Sequence, residues 1–195
     1  LTVAKLRTLN LKSQLQMDRN TIADLIIKLI QRDIDDKIRE NNGKNRSLRI
    51  DGFNARVGAP MGSPYCASAA WSAIDDACRA LGLKNPAQPT ASSQSFRRTV
   101  FVPQKYMRYG KELAKKGDVG VFQVIGDSVR GHLVTVLEDQ TEFSTFKTLE
   151  YNTDGSGSRD GDGAYQMSRK TEGQTGNKLF ICFTDIPQWI ADANP

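Results

Sequence analysis

The stretch GSPYCASAAWSAIDDACRALG, Gly62–Gly82, decides the fold, because it opens a helix with a cysteine in the first turn. Ser63 reads as an N-cap and Pro64 as the first helical residue, which predicts unpartnered backbone N–H groups around Cys66. Those donors and the helix dipole favour an anion, and the anion a cysteine supplies is a thiolate. The plainer alternative is a small buried thiol that fills space. Ser68, Ser72, Asp75, Asp76 and Arg79 form a narrow polar stripe on this helix. The wider arc, from Cys66 through Trp71 and Ile74 to Cys78 and Leu81, is apolar and rich in alanine. That is the pattern of a central helix packed close to a sheet.

N-terminal to it, residues 1–45 read as a basic helical segment, with residues 46–195 as the main domain. Thr21 and Asp24 mark a helix start, Ile22, Leu25, Ile26, Leu29, Ile30, Ile34 and Ile38 recur at helical spacing, and Asn41-Asn42-Gly43 ends the pattern. This helix either packs on its own domain, the simpler reading, or serves as a separate docking or wall-binding element. Residues 43–63 read as a loop.

C-terminal to the quoted stretch, Asn85–Arg98 is a Pro/Ser/Gln-rich loop and Gln104–Ala114 a short helix. Everything after Lys116 reads as strands. DVGVFQV and GHLVTVL flank a hairpin at Gly126-Asp127-Ser128, and three more strands follow over 142–152, 164–169 and 178–183. The glycine-rich TDGSGSRDGDG, residues 153–163, links two of them; its acidic residues lack the spacing of an EF-hand calcium loop. A helical segment followed by an antiparallel meander of about five strands is an α+β layout.

The 195 residues suffice for one domain with a real core, and 38% apolar with 25% charged residues suits a water-exposed globular chain. No apolar run reaches the length of a membrane span, and the first residues show no signal-peptide pattern. Residues 1–50 hold eleven Lys/Arg against six Asp/Glu, whereas residues 51–195 hold sixteen of each. The basic excess thus belongs to the N-terminal segment. No aromatic residues interleave with it, which argues against nucleic acid. Three cysteines and no CxxC pair point to neither a disulfide framework nor a zinc site, and no metal or other cofactor is expected. Cys78 and Cys182 read as core residues.

The chain has one histidine, His132, which follows a glycine at a strand start. A thiol nucleophile needs a base, and imidazole titrates in the right range; if Cys66 is catalytic, His132 is its base. A third group should orient the imidazole. In FKTLEYN, alternation puts Thr148, Glu150 and Asn152 on one side, and either Glu150 or Asn152 could accept the imidazole's hydrogen bond.

Taken in order, SPYCASAAW, GDVGVF, GHLVTVL and LEYNTDGSGSRDGDGAYQMSRK resemble the CHAP family, the cysteine, histidine-dependent amidohydrolases/peptidases. The resemblance runs from about residue 42 to 169. It implies a papain-like fold, with a nucleophile helix packed on an antiparallel sheet that carries the histidine. It further implies Cys66 as nucleophile, His132 as base, Glu150 as the orienting carboxylate and Asn152 as an auxiliary polar group. The implied activity is cleavage of amide bonds in bacterial peptidoglycan, by a muramoyl-alanine amidase or a stem or cross-bridge endopeptidase. Such a protein acts at the cell wall, as a phage lysin, a remodelling enzyme or a delivered antibacterial effector. Two departures stand out. No glutamine precedes Cys66 as a papain-type oxyanion donor, which leaves the Cys66 backbone N–H, with Tyr65 and Ser63 as candidate substrate contacts. Tyr151 follows Glu150 where the family pattern has glycine. The competing expectation is an inert binding or assembly component of a phage particle or secretion device.

Overall fold

The computed structural model describes residues 17–41, 43–154 and 161–195, which build an α+β architecture of α-helices and one antiparallel sheet. The expectations for residues 1–16 and for the glycine-rich residues 155–160 lie outside the described residues.

Helix α1 (Arg19–Asp35) starts at Asp18, whose carboxylate accepts the Asn20 N–H at 3.2 Å. It buries Ile22, Ile26 and Ile30, each contributing about 1.5–3 kcal/mol. The helix stops at Asp35, well before the expected Asn41. Lys37 takes a left-handed φ of 52°, and the N–H groups of Lys37 and Ile38 turn back onto the carbonyls of Ile34 (2.9 Å) and Asp33 (3.1 Å). This is a Schellman closure, and Ile38 is the apolar residue beyond it that packs on the core.

Helix α2 (Leu48–Arg56) occupies part of the expected loop over 43–63. Ser47 caps it by accepting the Ile50 N–H at 3.3 Å, and Ile50 and Phe53 fill the core below. Helix α3 (Cys66–Ala80) is the predicted central helix, and its residues from Cys66 to Asp75 are all buried. Helix α4 (Ile186–Ala193) corrects the reading of the C-terminal region as strands alone. Asp185 caps it by accepting the Gln188 N–H at 3.2 Å, Pro187 sits in the first turn, and Ile186, Trp189 and Ile190 are buried. The short helix expected over 104–114 reduces to a 3-10 turn, Gln104–Tyr106, which leads into a strand.

The strands are β1 (Met107–Arg108), β2 (Val119–Val124), β3 (Gly131–Val136), β4 (Thr145–Thr153), β5 (Gly163–Lys170), β6 (Gln174–Thr175) and β7 (Lys178–Thr184). Their order is β1-β7-β2-β3-β4-β5, all antiparallel, with β6 paired to β7 off this path. The five expected strands are β2, β3, β4, β5 and β7; β1 and β6 are additions of two residues each. One face of the sheet, through Val121, Leu133, Leu149 and Tyr151, shares a core with α1 and α3. The other gathers Phe122, Val134, Phe146 and Phe183, with the Phe146 and Phe183 rings edge-to-face at 5.0 Å.

A buried charge cluster ties the chain's distant parts together. Arg19 at the start of α1 contacts Asp118 at 2.9 Å and Asp185 at 2.8 Å, while Arg108 of β1 contacts the same two carboxylates at 2.7 and 3.0 Å. Asp118 is fully buried, and burial pushes its carboxyl up to about 7 against the pull of Arg108. Among the described residues, no helix is long and apolar enough to cross a membrane.

Candidate active site

Helix α3 begins at Cys66 itself, two residues later than the expected start at Pro64. Ser63 precedes Pro64, which disfavours a helical backbone before it. Its N–H turns back to the Pro60 carbonyl at 3.2 Å, and its carbonyl accepts from the Asn54 amide at 3.0 Å. Tyr65 is the capping position and offers no side-chain cap. The first N–H with a helical acceptor belongs to Ala69, so the preceding N–H groups of the first turn have none within the helix. Cys66 is 5% exposed, buried but touching a cavity of about 360 Å³.

That cavity is lined by Ser63, Pro64, Ser92, Ser93, Val129 and Arg130 around the thiol, and its size suits a small-molecule or peptide fragment. Tyr65 is fully buried and is not part of the cavity wall. Its hydroxyl lies against the Asn152 backbone, and burial pushes its pKa up.

His132 stands near the start of β3, after Gly131. A Cβ at Gly131 would come within 2.0 Å of the Gln94 Nε2 and 2.1 Å of the Phe122 carbonyl oxygen. Glycine is required because Gln94 seats its amide there, donating to the Phe122 carbonyl at 2.9 Å and accepting from Arg97 Nε at 2.6 Å. The loop over 85–98 is thus fastened beside the histidine.

The imidazole is 1% exposed, and its Nε2 lies 2.9 Å from Glu150 Oε2. Its Nδ1 is buried without a hydrogen-bond partner. Burial by itself lowers the pKa of His132, but the neighbouring Cys66 and Glu150 outweigh it and leave the pKa raised. Cys66 is the mirror case. Burial pushes its pKa up, while His132 and the backbone N–H groups of Leu133 and Ala67 bring it below the ordinary thiol value. Burial, with the neighbouring Asp75 carboxylate acting in the same direction, takes Cys78 up to about 12; Cys182 also reaches about 12 by burial, despite a hydrogen bond with Thr184.

Glu150 is 1% exposed and held from three sides. The Thr148 hydroxyl donates to Oε1 at 2.5 Å, Arg169 Nε donates to Oε1 at 2.7 Å, and Arg169 Nη2 donates to Oε2. Burial would push this carboxyl up, yet Arg169 and His132 bring it down to about 2, so it is ionised. The imidazole's orienting contact therefore goes to Glu150 and not to Asn152. Asn152 sits at a register shift in β4 with a left-handed φ of 56°, which interrupts the alternation extrapolated from Thr148 and Glu150. Its side chain is fully buried, and neither amide atom has a hydrogen-bond partner.

The structure thus gathers Cys66, His132 and Glu150, leaves the Asn152 amide buried further along β4 without a hydrogen bond to any of them, and leaves Ser63 in the cavity wall. Arg169 was not anticipated. Its signal lies in the pairing of β4 with β5, where Arg169 stands opposite Phe146 on the face shared by Thr148 and Glu150. No protein-family model matches this chain, and no curated protein matches it either.

Proposed function

We propose that the chain is a peptidoglycan amidohydrolase of papain-like, CHAP-type architecture with Cys66 as its nucleophile. The observation that carries the reading is one buried line of groups, Cys66 to His132 to Glu150, ending at a cavity over a helix start. In this reading the Cys66 proton passes to the unpartnered Nδ1 of His132, and the thiolate attacks an amide carbonyl of the substrate. First-turn N–H groups of α3 stabilise the developing oxyanion, and Glu150 holds the imidazole in one tautomer. His132 then returns the proton to the leaving amine, and water releases the acyl group from sulfur. The protein would work at the bacterial cell wall, reached through phage lysis, secretion or host wall turnover.

Incubation with purified peptidoglycan, followed by mass spectrometry of the soluble fragments, tests the reading and identifies the bond. New amine termini are expected from the wild type, and neither Cys66→Ala nor His132→Ala should release them while both keep the native circular dichroism spectrum. Wall cleavage that survives Cys66→Ala would overturn the nucleophile, and a wild type that leaves peptidoglycan intact would overturn the substrate.

A further inference from the structure

Arg169 is 4% exposed and grips both oxygens of Glu150 from the neighbouring strand. A buried guanidinium is costly to desolvate, so its place in the fold calls for an explanation. Orientation of the carboxylate does not supply a full one, because Thr148 already donates to Oε1 and His132 already faces Oε2.

Counting charges does supply one. When the Cys66 S–H bond breaks and the proton binds the imidazole, the site gains one negative and one positive charge beside the Glu150 carboxylate. Without a further cation the buried set would carry a net charge of minus one both before and after that transfer, and uptake of one further proton from solvent would neutralise it. The low-dielectric interior would prefer the neutral arrangement, with the imidazolium paired to Glu150 and the proton still on sulfur. With Arg169 present, the four side chains sum to zero both before and after the proton moves.

We propose that Arg169 is a positioning residue that balances the charge of Glu150, so that His132 can take the Cys66 proton without leaving an uncompensated buried anion. Charged and titratable groups reach the thiol from several elements, and Arg130, in the wall of the same cavity, is paired with Asp127. His132 of β3 acts on Cys66, Cys66 of α3 and Glu150 of β4 act on His132, and His132 and Arg169 of β5 act on Glu150. Tyr65, next to Cys66, is held protonated by its burial. The inference rests on reading Cys66 and His132 as nucleophile and base, and it is independent of the substrate.

The test is the pH dependence of iodoacetamide alkylation at Cys66, followed by peptide mapping, in the wild type, Arg169→Gln and Arg169→Lys. Arg169→Gln should move the alkylation midpoint upward by at least about one pH unit, with a roughly tenfold slower reaction below it. Arg169→Lys, which keeps the charge and loses the two-pronged grip, should recover most of the shift. A folded Arg169→Gln with the wild-type midpoint overturns the proposal, as does a Lys variant as impaired as the Gln variant. Should Arg169→Gln fail to fold, the comparison moves to Glu150→Gln with and without Arg169→Gln, where no carboxylate is orphaned. There, loss of Arg169 should again raise the midpoint by at least about one unit, and equal midpoints refute the charge role. Wild-type Cys66 reacting no faster than Cys78 would instead refute the nucleophile reading, a separately recognisable result.

Discussion

The His132 imidazole and the Glu150 carboxylate meet at 2.9 Å with both side chains closed off from solvent, which leaves the imidazole's other nitrogen unpartnered. A buried pair of this kind fixes one tautomer and one ring orientation, and it makes the neighbouring thiol unlike the other two in the chain.

Thiol chemistry should reveal that difference directly. At neutral pH, iodoacetamide should modify Cys66 at least about a hundredfold faster than Cys78 or Cys182, because the latter two titrate only near 12. Peptide mapping after brief exposure measures it; comparable labelling of all three would mean that the helix start and imidazole do not activate the sulfur.

Acid should weaken the fold through Glu150. Its carboxyl titrates at about 2 in the folded chain against an ordinary 4.5, so the folded state holds this proton more weakly than the unfolded state does. The resulting stabilisation, about 3 kcal/mol, is fully present above pH 4.5 and is lost as pH falls towards 2. Urea midpoints taken across that window should fall less steeply for Glu150→Gln than for the wild type. Parallel curves would show that the carboxylate is not held as described.

Gly131→Ala should cost about 2 kcal/mol by overpacking. The added methyl would meet both the Gln94 amide and the Phe122 carbonyl, so combining it with Gln94→Ala should restore stability only in part. Thermal denaturation of the single and double variants reads this out, and full rescue by Gln94→Ala would place the whole conflict on the glutamine.

Lys37→Gly should stabilise the chain by about 0.5–1 kcal/mol, since a Cβ is disfavoured in the left-handed region. The helix closure there uses backbone groups alone, so no contact of the closure is lost. A lower denaturation midpoint for the glycine variant would indicate that the Lys37 side chain does something the backbone account omits.

Much of this arrangement was legible beforehand, and the boundary of legibility has a physical basis. The β2–β3 hairpin and β7 announce themselves by apolar alternation broken at Gly126-Asp127, and α3 by a wide alanine-rich arc. Helix α2 did not, because nine residues with Gly52 at the centre carry too short a periodicity. Helix α4 carried its signal in Asp185 and Pro187, an acidic cap and a first-turn proline, which the preceding run of apolar strand residues masked. Cys66 and His132 could be singled out from residue type and local context. Arg169 could not, since its contact with Glu150 depends on strand register, a property of pairs of segments and not of either alone. Simple alternation predicts Asn152 on the face of Glu150, and a single left-handed residue, Asn152 itself, interrupts that alternation.

The four-charge clamp at Arg19 has a practical corollary for anyone wishing to shorten or transplant this protein. Cutting after residue 45 would strip three isoleucines from the floor of α3 and strand the Asp118 and Asp185 carboxylates with one guanidinium between them. The smallest portable unit therefore starts upstream of Asp18, and a fusion partner is better attached there than at the apparent joint near Gly43.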